Sequence, residues 1–147
     1  MINIKLVCVG KMKEKFYIDA YGEYAKRLQA YCKLELVEIP ESSLDKEAAA
    51  VIKYLSKSAY VIVMAIEGRK LSSTEFAKKI DSIALNGQSE IIFVIGGSVG
   101  LADEVKNRAD MLLSMSDMTF PHHLARVMLA EQIYRAFKIN EGSVYHK

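Results

Sequence analysis

Two short apolar runs, Val61–Ile66 and Ile91–Ile95, constrain the fold of this chain more than any other feature of its sequence. Neither run alternates polar with apolar side chains, so a strand formed by either one must be covered on both faces. Strands of this kind belong to parallel sheets packed between layers of helices. The chain is therefore predicted to be an α/β protein with a mostly parallel sheet and helices on both faces.

The rest of the chain alternates strand patterns with helical patterns, as this architecture requires. The predicted strands are Ile2–Val9, Leu34–Ile39, Tyr60–Ile66, Glu90–Ile95 and Met111–Ser114. The predicted helices are Tyr17–Tyr31, a segment capped by Ser42-Ser43 that reaches Leu55, a segment capped by Ser72–Thr74 that reaches Leu85, a short helix from about Leu101 to Arg108, and a last helix beginning at Pro121. No repeat or change of composition marks a second domain, so residues 1–147 are expected to form one domain.

The composition is that of a globular protein, with 51% apolar and 26% charged residues. No apolar run approaches the roughly 20 residues that cross a bilayer, and the N-terminus lacks a signal-peptide pattern. We therefore expect a cytoplasmic protein with no membrane partner. Cys8 and Cys32 lack a C-x-x-C spacing, and no His or Cys pair has zinc-binding spacing, so neither a disulfide nor a metal site is expected.

Charge is unevenly distributed along the chain. The formal net charge of +2 does not by itself indicate a nucleic-acid-binding protein. Residues 1–33 nevertheless contain seven basic and three acidic side chains, so the basic excess is N-terminal. The three histidines, His122, His123 and His146, all lie in the last 26 residues. Side chains that titrate near neutral pH are therefore concentrated towards the C-terminus.

Three loops follow predicted strands at the edge of the sheet where α/β proteins bind ligands: Ala65–Lys70, Gly96–Gly100 and Met115–Phe120. The glycine loop lets backbone approach a ligand closely, although it matches neither the P-loop nor the G-x-G-x-x-G pattern. A tight turn between strand and helix explains it equally well. The third loop suits an apolar slot for a flat ring, or alternatively a helix cap with a hydrophobic staple.

The C-terminal residues Tyr145–Lys147 combine an aromatic ring, a group that titrates near neutral pH and a cation, unless they form a frayed, inert end. On the last helix, Glu131, Arg135 and Lys138 are spaced as one charged face, which solvent exposure also explains. A series of tyrosines with helical spacing is either a core stripe or a surface for base stacking or a partner: Tyr17, Tyr21, Tyr24 and Tyr31.

Three ordered motifs stand out: Phe93–Leu101, Leu113–His122, and Glu131–Ile139 followed by Tyr145–Lys147. Together they resemble the RlmH family of SPOUT methyltransferases. The likeness begins near Val7–Lys11 and extends to the last residue, so it covers essentially the whole chain.

The resemblance implies more than the patterns alone predict. It implies an α/β fold with a deep trefoil knot near the C-terminus, and a homodimer. It also implies an enzyme that uses S-adenosyl-L-methionine to methylate N3 of a pseudouridine in 23S rRNA on assembled ribosomes.

The resemblance also implies site residues. The cofactor would be bound by Met64, Gly96, Met115, Ser116, Asp117, Met118, Thr119 and Phe120. Arg135, Tyr145 and His146 would lie on the reaction side, with His146 as a proton acceptor or target-positioning group, Tyr145 as a stacking ring and Arg135 as an RNA or tail anchor. Val99 and Asp117 depart from the residues that family members tend to have at these positions.

Two other classes of function remain open on the sequence. One is a ribosome-binding assembly factor that keeps the fold without transferring methyl groups. The other is a nucleotide-binding regulatory α/β domain. Binding of S-adenosylmethionine and methyl transfer to ribosomes distinguish the enzyme from both.

Overall fold

A five-stranded sheet forms the centre of the structure, and every neighbouring pair of its strands is parallel. The computed structural model describes all 147 residues. The strands are β1 (Asn3–Val9), β2 (Lys33–Ile39), β3 (Tyr60–Lys70), β4 (Glu90–Ile95) and β5 (Met111–Ser114), in the sheet order β2-β1-β4-β3-β5. The helices are α1 (Lys15–Leu28), α2 (Leu44–Ile52), α3 (Ser73–Leu85), α4 (Asp103–Arg108) and α5 (His122–Asn140). The predicted α/β fold with a mostly parallel sheet is confirmed.

Helices cover both faces of the sheet, which explains the unbroken apolar runs. Successive strand residues alternate between two cores, so Leu6 belongs to one and Val7 to the other. The first core is completed by α1, α3 and α5, with Leu28, Phe76 and Ile133 among its buried residues. The second core is completed by the shorter helices α2 and α4.

Two helices begin at the serine caps that the sequence predicts. The Ser72 hydroxyl accepts a hydrogen bond from the Glu75 amide, and the Glu75 carboxylate accepts one from the Ser72 amide, which together form the capping box that starts α3. Ser43 caps α2, as predicted. By contrast, α1 ends at Leu28 and does not reach Tyr31, because the amides of Tyr31 and Cys32 both donate to the Leu28 carbonyl in a turn.

The second half of β3 differs from the prediction. The chain from Ala65 to Lys70 was expected to be a loop, but Arg69 and Lys70 return to the sheet and pair with β5. Met64 and Arg69 both pair with Leu113, so the intervening residues bulge out of the strand. Residues 65–68 therefore form an arch within β3.

Candidate active site

A cavity of about 360 Å³ lies at the carboxyl ends of β3, β4 and β5. Its wall is formed mainly by the arch after Met64, the glycine loop that begins at Gly96, and the loop that follows β5. The three loops singled out in the sequence therefore meet at one place. Seven of the eight predicted cofactor-binding residues line the cavity: Met64, Gly96, Met115, Ser116, Met118, Thr119 and Phe120.

Asp117 is the predicted residue that the structure leaves outside the cavity wall. Its side chain is 82% exposed and forms an ion pair with Lys70 of β3. The rest of this loop is shaped by serine hydrogen bonds. The Ser114 hydroxyl donates to the Ser116 carbonyl at 3.0 Å, and the Ser116 hydroxyl accepts from the Met118 amide at 3.0 Å.

The glycine loop folds back tightly on itself. A Cβ on Gly96 would lie 2.8 Å from Leu101 Cγ and 2.9 Å from the Gly100 carbonyl oxygen, distances that real Cβ atoms essentially never show. Gly100 itself has a φ of +78°, which favours glycine. The glycines are thus required by a tight strand-to-helix turn, and that turn also forms one wall of the cavity.

The chemistry of the wall fits a flat, partly apolar ligand. Apolar side chains from all three loops, including Met64, Leu101 and Phe120, provide an apolar slot. The Glu67 carboxylate and the Lys106 ammonium, 2.8 Å apart, form a charged pair on the wall. The volume lies within the usual range of roughly 300–1,000 Å³ for small-molecule sites. A nucleoside with a charged side arm matches this arrangement.

The three predicted catalytic residues form a cluster of their own. Arg135 Nη1 and His146 Nδ1 are 3.0 Å apart, and the Arg135 guanidinium carbon lies 4.8 Å from the centre of the Tyr145 ring. The C-terminal residues are therefore docked on α5. The prediction that they act together is consistent with this geometry, whereas the alternative of a frayed end is not.

Glu131 organises this cluster, a role that its sequence pattern did not reveal. Its Oε2 accepts hydrogen bonds from Arg135 Nη2 and from the Tyr145 hydroxyl, both at 2.8 Å. Burial and then the hydrogen bond to Glu131 raise the pKa of Tyr145 to about 12. The spacing of Glu131 and Arg135 was the available signal, but it is equally typical of an exposed helix face.

The cluster and the cavity lie apart within one chain. None of Arg135, Tyr145 or His146 lines the cavity. His122, at the start of α5, does line it, and Arg135 lies 13 residues further along the same helix. At 1.5 Å per residue the separation along the helix is roughly 20 Å.

Arg126 also has a role that its sequence pattern did not reveal. Its guanidinium is buried, donates to Glu38 Oε2 at 2.6 Å, and donates to the Gly10 carbonyl at 2.9 Å. The same Glu38 carboxylate accepts from the Met12 amide at 3.0 Å. These bonds join α5 to β2 and to the loop that follows β1.

His122 and His123 continue this junction. Their rings are 4.3 Å apart, and Gly10, with a φ of +98°, packs close to both. His123 Nδ1 lies 3.6 Å from Glu14 Oε2. Burial and then the neighbouring His123 lower the pKa of His122, so the ring on the cavity wall is neutral at physiological pH.

Further features of the structure concern possible metal ligands, the helices and the cysteines. No group of three or more His, Cys, Asp or Glu side chains is arranged to bind a metal ion. No helix combines the length and apolar composition needed to span a membrane. Both cysteines are free and buried.

Two solved structures have a similar fold. A probable methylase family protein from Haemophilus influenzae superposes with a TM-score of 0.59 at 16% identity, covering 99% of this chain and 71% of that one. A tRNA (m1G37) methyltransferase from Aquifex aeolicus gives a TM-score of 0.55, also at 16% identity, over 90% and 69% of the two chains. At these identities the likeness shows the fold alone.

Sequence similarity is much closer. Residues 2–146 match the family described as "Predicted SPOUT methyltransferase". Ribosomal RNA large subunit methyltransferase H of Bifidobacterium adolescentis is 49% identical, covering 99% of this chain and all of that protein. The protein of the same name from Clostridioides difficile is 45% identical over the same shares. The chain therefore belongs to the SPOUT methyltransferases, in the family of ribosomal RNA large subunit methyltransferase H.

Proposed function

We propose that this protein uses S-adenosylmethionine to methylate N3 of a pseudouridine in 23S rRNA, acting on assembled ribosomes. The observation that supports this best is the convergence of seven predicted cofactor-binding residues on one cavity. The full-length similarity to large-subunit rRNA methyltransferases supports the substrate class. We further propose that residues 1–147 work as a single domain, since one sheet supports the entire site.

The residues that line the cavity bind the cofactor and orient it. When bound, S-adenosylmethionine supplies a methyl group attached to positively charged sulfur. The side chains of Met64, Met115 and Phe120 line the slot and would shield the cofactor from water, while Gly96 brings main chain to the cavity wall. Since a sulfonium methyl needs little activation, the protein's main contribution is to align the two reacting groups.

Arg135, Tyr145 and His146 form what we call the tail cluster, and this cluster holds the target nucleotide. Tyr145 offers a half-buried ring for base stacking, and the Arg135 guanidinium against that ring keeps the tail docked on α5. His146 lies beside Arg135 and is positioned to contact the base.

A homodimer would bring the cavity and the cluster together. Within one chain they are roughly 20 Å apart along α5. Exposed apolar side chains surround the cavity, including Ile66 at 56% and Met118 at 73% exposure. We propose that the tail cluster of one subunit faces the cavity of its partner, which covers these side chains and completes the site.

Complementation between variants tests the shared site. Gly96→Ala is expected to distort the glycine loop on the cavity wall, because its Cβ would clash with Leu101 and Gly100, and His146→Ala to remove the tail contact, so each variant alone should be inactive. Mixed dimers contain one complete site if the two parts come from different subunits, which restores roughly a quarter of wild-type activity for random pairing. No restoration on mixing, with dimers verified by sedimentation, would contradict the shared site.

Transfer of a radiolabelled methyl group tests the function itself. Label from S-adenosylmethionine should enter intact ribosomes, remain absent from free small-molecule acceptors, and map to N3 of one pseudouridine of 23S rRNA. Calorimetry should show binding of S-adenosylmethionine, which Gly96→Ala weakens at least about tenfold. Ribosome binding without incorporation would instead favour an assembly factor, and label at another nucleotide would disprove the proposed target.

A further inference from the structure

The contact between Arg135 and His146 determines where the imidazole carries its proton. Arg135 Nη1 and His146 Nδ1 are 3.0 Å apart. A guanidinium has only N–H donors and no acceptor, so Nδ1 must accept and is unprotonated. A neutral imidazole then carries its single proton on Nε2, which has no hydrogen-bond partner within the chain.

Arg135 has little freedom to turn away from His146, because Glu131 fixes the orientation of its guanidinium. Two guanidinium nitrogens, Nη2 and Nε, donate to the two Glu131 oxygens at 2.8 and 3.3 Å. A two-point contact of this kind sets the plane of the guanidinium as well as its position. The Tyr145 ring lies against the guanidinium and its hydroxyl is bonded to Glu131, so the third nitrogen, Nη1, is directed at His146.

This arrangement is poorly suited to a general base. For Nε2 to accept a proton from the target, its own proton would first have to move to Nδ1. A proton on Nδ1 would face the Arg135 N–H group and replace a hydrogen bond by a clash of two donors. The Glu131 carboxylate neutralises Arg135, but its oxygens are already engaged by Arg135, Gln132 and Tyr145.

We propose that Glu131 and Arg135 are positioning residues that hold His146 as a neutral Nε2–H donor, directed at a carbonyl oxygen of the target base. This inference rests on the proposed function. In a uracil-type ring, N3 lies between two carbonyl groups. When N3 loses its proton to solvent water, the electron pair left on nitrogen is shared with both carbonyl oxygens. A donor placed at one of them stabilises that charge.

Two substitutions of His146 distinguish a donor from a base. His146→Gln offers an amide N–H close to the former Nε2, whereas His146→Glu offers only a carboxylate that accepts protons. In methyl transfer to ribosomes by the intact dimer, we expect Gln to retain activity within about tenfold and Glu to lose about 100-fold or more. Val144→Gln and Val144→Glu form a matched control, since Val144 is 86% exposed beside the tail. These two should differ from each other by no more than about twofold.

The opposite ranking, with Glu more active than Gln, would overturn the inference and identify a base. Equal activity in the two variants would overturn it as well, because the donor would then be irrelevant.

Nitrogen-15 NMR of the histidine rings reports the tautomer without any need for methyl transfer. Wild-type His146, assigned by comparison with His146→Gln, should show a protonated Nε2 and an unprotonated Nδ1. Arg135→Met should give a mixture of tautomers, and Arg135→Lys should restore the wild-type form, since an ammonium also donates. Glu131→Gln, which loosens the clamp, should shift the mixture in the same direction as Arg135→Met.

A protonated Nδ1 in the wild type, or a tautomer indifferent to Arg135→Met, would disprove the positioning role. If the wild-type protein transfers no methyl group to ribosomes, the proposed function fails, while the NMR result still decides the tautomer.

Discussion

Arg126 is a fully buried charge whose hydrogen bonds join three parts of the chain: α5, the end of β2 and the loop after β1. A buried charge is tolerated only when it is paired, and its partner Glu38 has a side chain that is 29% exposed. Burial raises the pKa of Glu38, but the hydrogen bonds from Arg126 and from the Met12 amide outweigh burial, so the net pKa is lowered.

A lowered pKa in the folded state predicts acid sensitivity at this residue. Glu38 stabilises the fold above its ordinary pKa of 4.5, and that contribution is lost as the pH falls through the lowered value. We expect Glu38→Gln to reduce the free energy of unfolding at pH 7 by about 2–4 kcal/mol and to flatten its decline below pH 4.5. Urea denaturation across pH measures both. Glu35→Gln, at an exposed side chain of β2, is the control, and an equal change there would contradict the prediction.

At the scale of elements, the arch within β3 depends on one glycine. A Cβ on Gly68 would lie 2.6 Å from the Leu112 carbonyl carbon and 2.7 Å from the Leu113 nitrogen. These are backbone atoms of β5, so they cannot turn aside as a flexible side chain can. The arch can therefore pass this close to the main chain of β5 only at a residue that has no side chain.

Gly68→Ala should consequently destabilise the protein and distort the cavity wall. We expect a loss of about 1–3 kcal/mol in the free energy of unfolding, typical of overpacking. Gly22→Ala is a matched control, because a Cβ there meets nothing within 4 Å and the site lies inside helix α1. Alanine at Gly22 should stabilise the helix by about 0.5–1 kcal/mol. Chemical denaturation compares the two, and equal stability of both variants would show that β3 and β5 can move apart.

The elements that could be predicted from sequence are those with a strong local pattern. The apolar runs of β3 and β4 and the serine cap of α3 are examples. The end of β3 lacked such a signal, because Arg69 and Lys70 are polar and become strand only by pairing with β5. In the site, the rule that ligands bind at the carboxyl edge located the cavity. The role of Glu131 and the burial of Arg126 could not be predicted, because both depend on partners distant in sequence.

At the scale of the whole molecule, the structure shows where the excess basic residues of the N-terminal segment lie. The loop after β1 contains Lys11 and Lys13, α1 begins at Lys15, and all three lysines are exposed. β1 is next to β4 in the sheet, so this loop emerges at the same edge as the cavity. Phosphate contacts depend on where cations lie more than on their total number. A protein with a net charge of +2 can therefore present a local basic surface for rRNA.

Reversing these three lysines to glutamate should weaken ribosome binding at least about tenfold at low salt, with a shallower salt dependence. Affinity for S-adenosylmethionine should stay within about twofold, since none of the three lines the cavity. Ribosome pelleting at several salt concentrations and calorimetry measure the two affinities. The control reverses Lys53, Lys57 and Lys78, which are exposed elsewhere. Equal weakening by both triple variants would show that only total charge matters.

The position of helix α5 affects how the protein folds. Its buried side chains Leu129, Ile133 and Ala136 complete the larger core, and its outer residues support the tail cluster. Since β1 also pairs with β4, which lies more than 80 residues later, the sheet depends on contacts of long sequence separation and should form slowly. Helix α5 thus serves the larger core and the tail cluster at once, so packing of that core and ordering of the cluster are coupled through one helix. A chain whose core is not yet packed therefore lacks an ordered tail cluster.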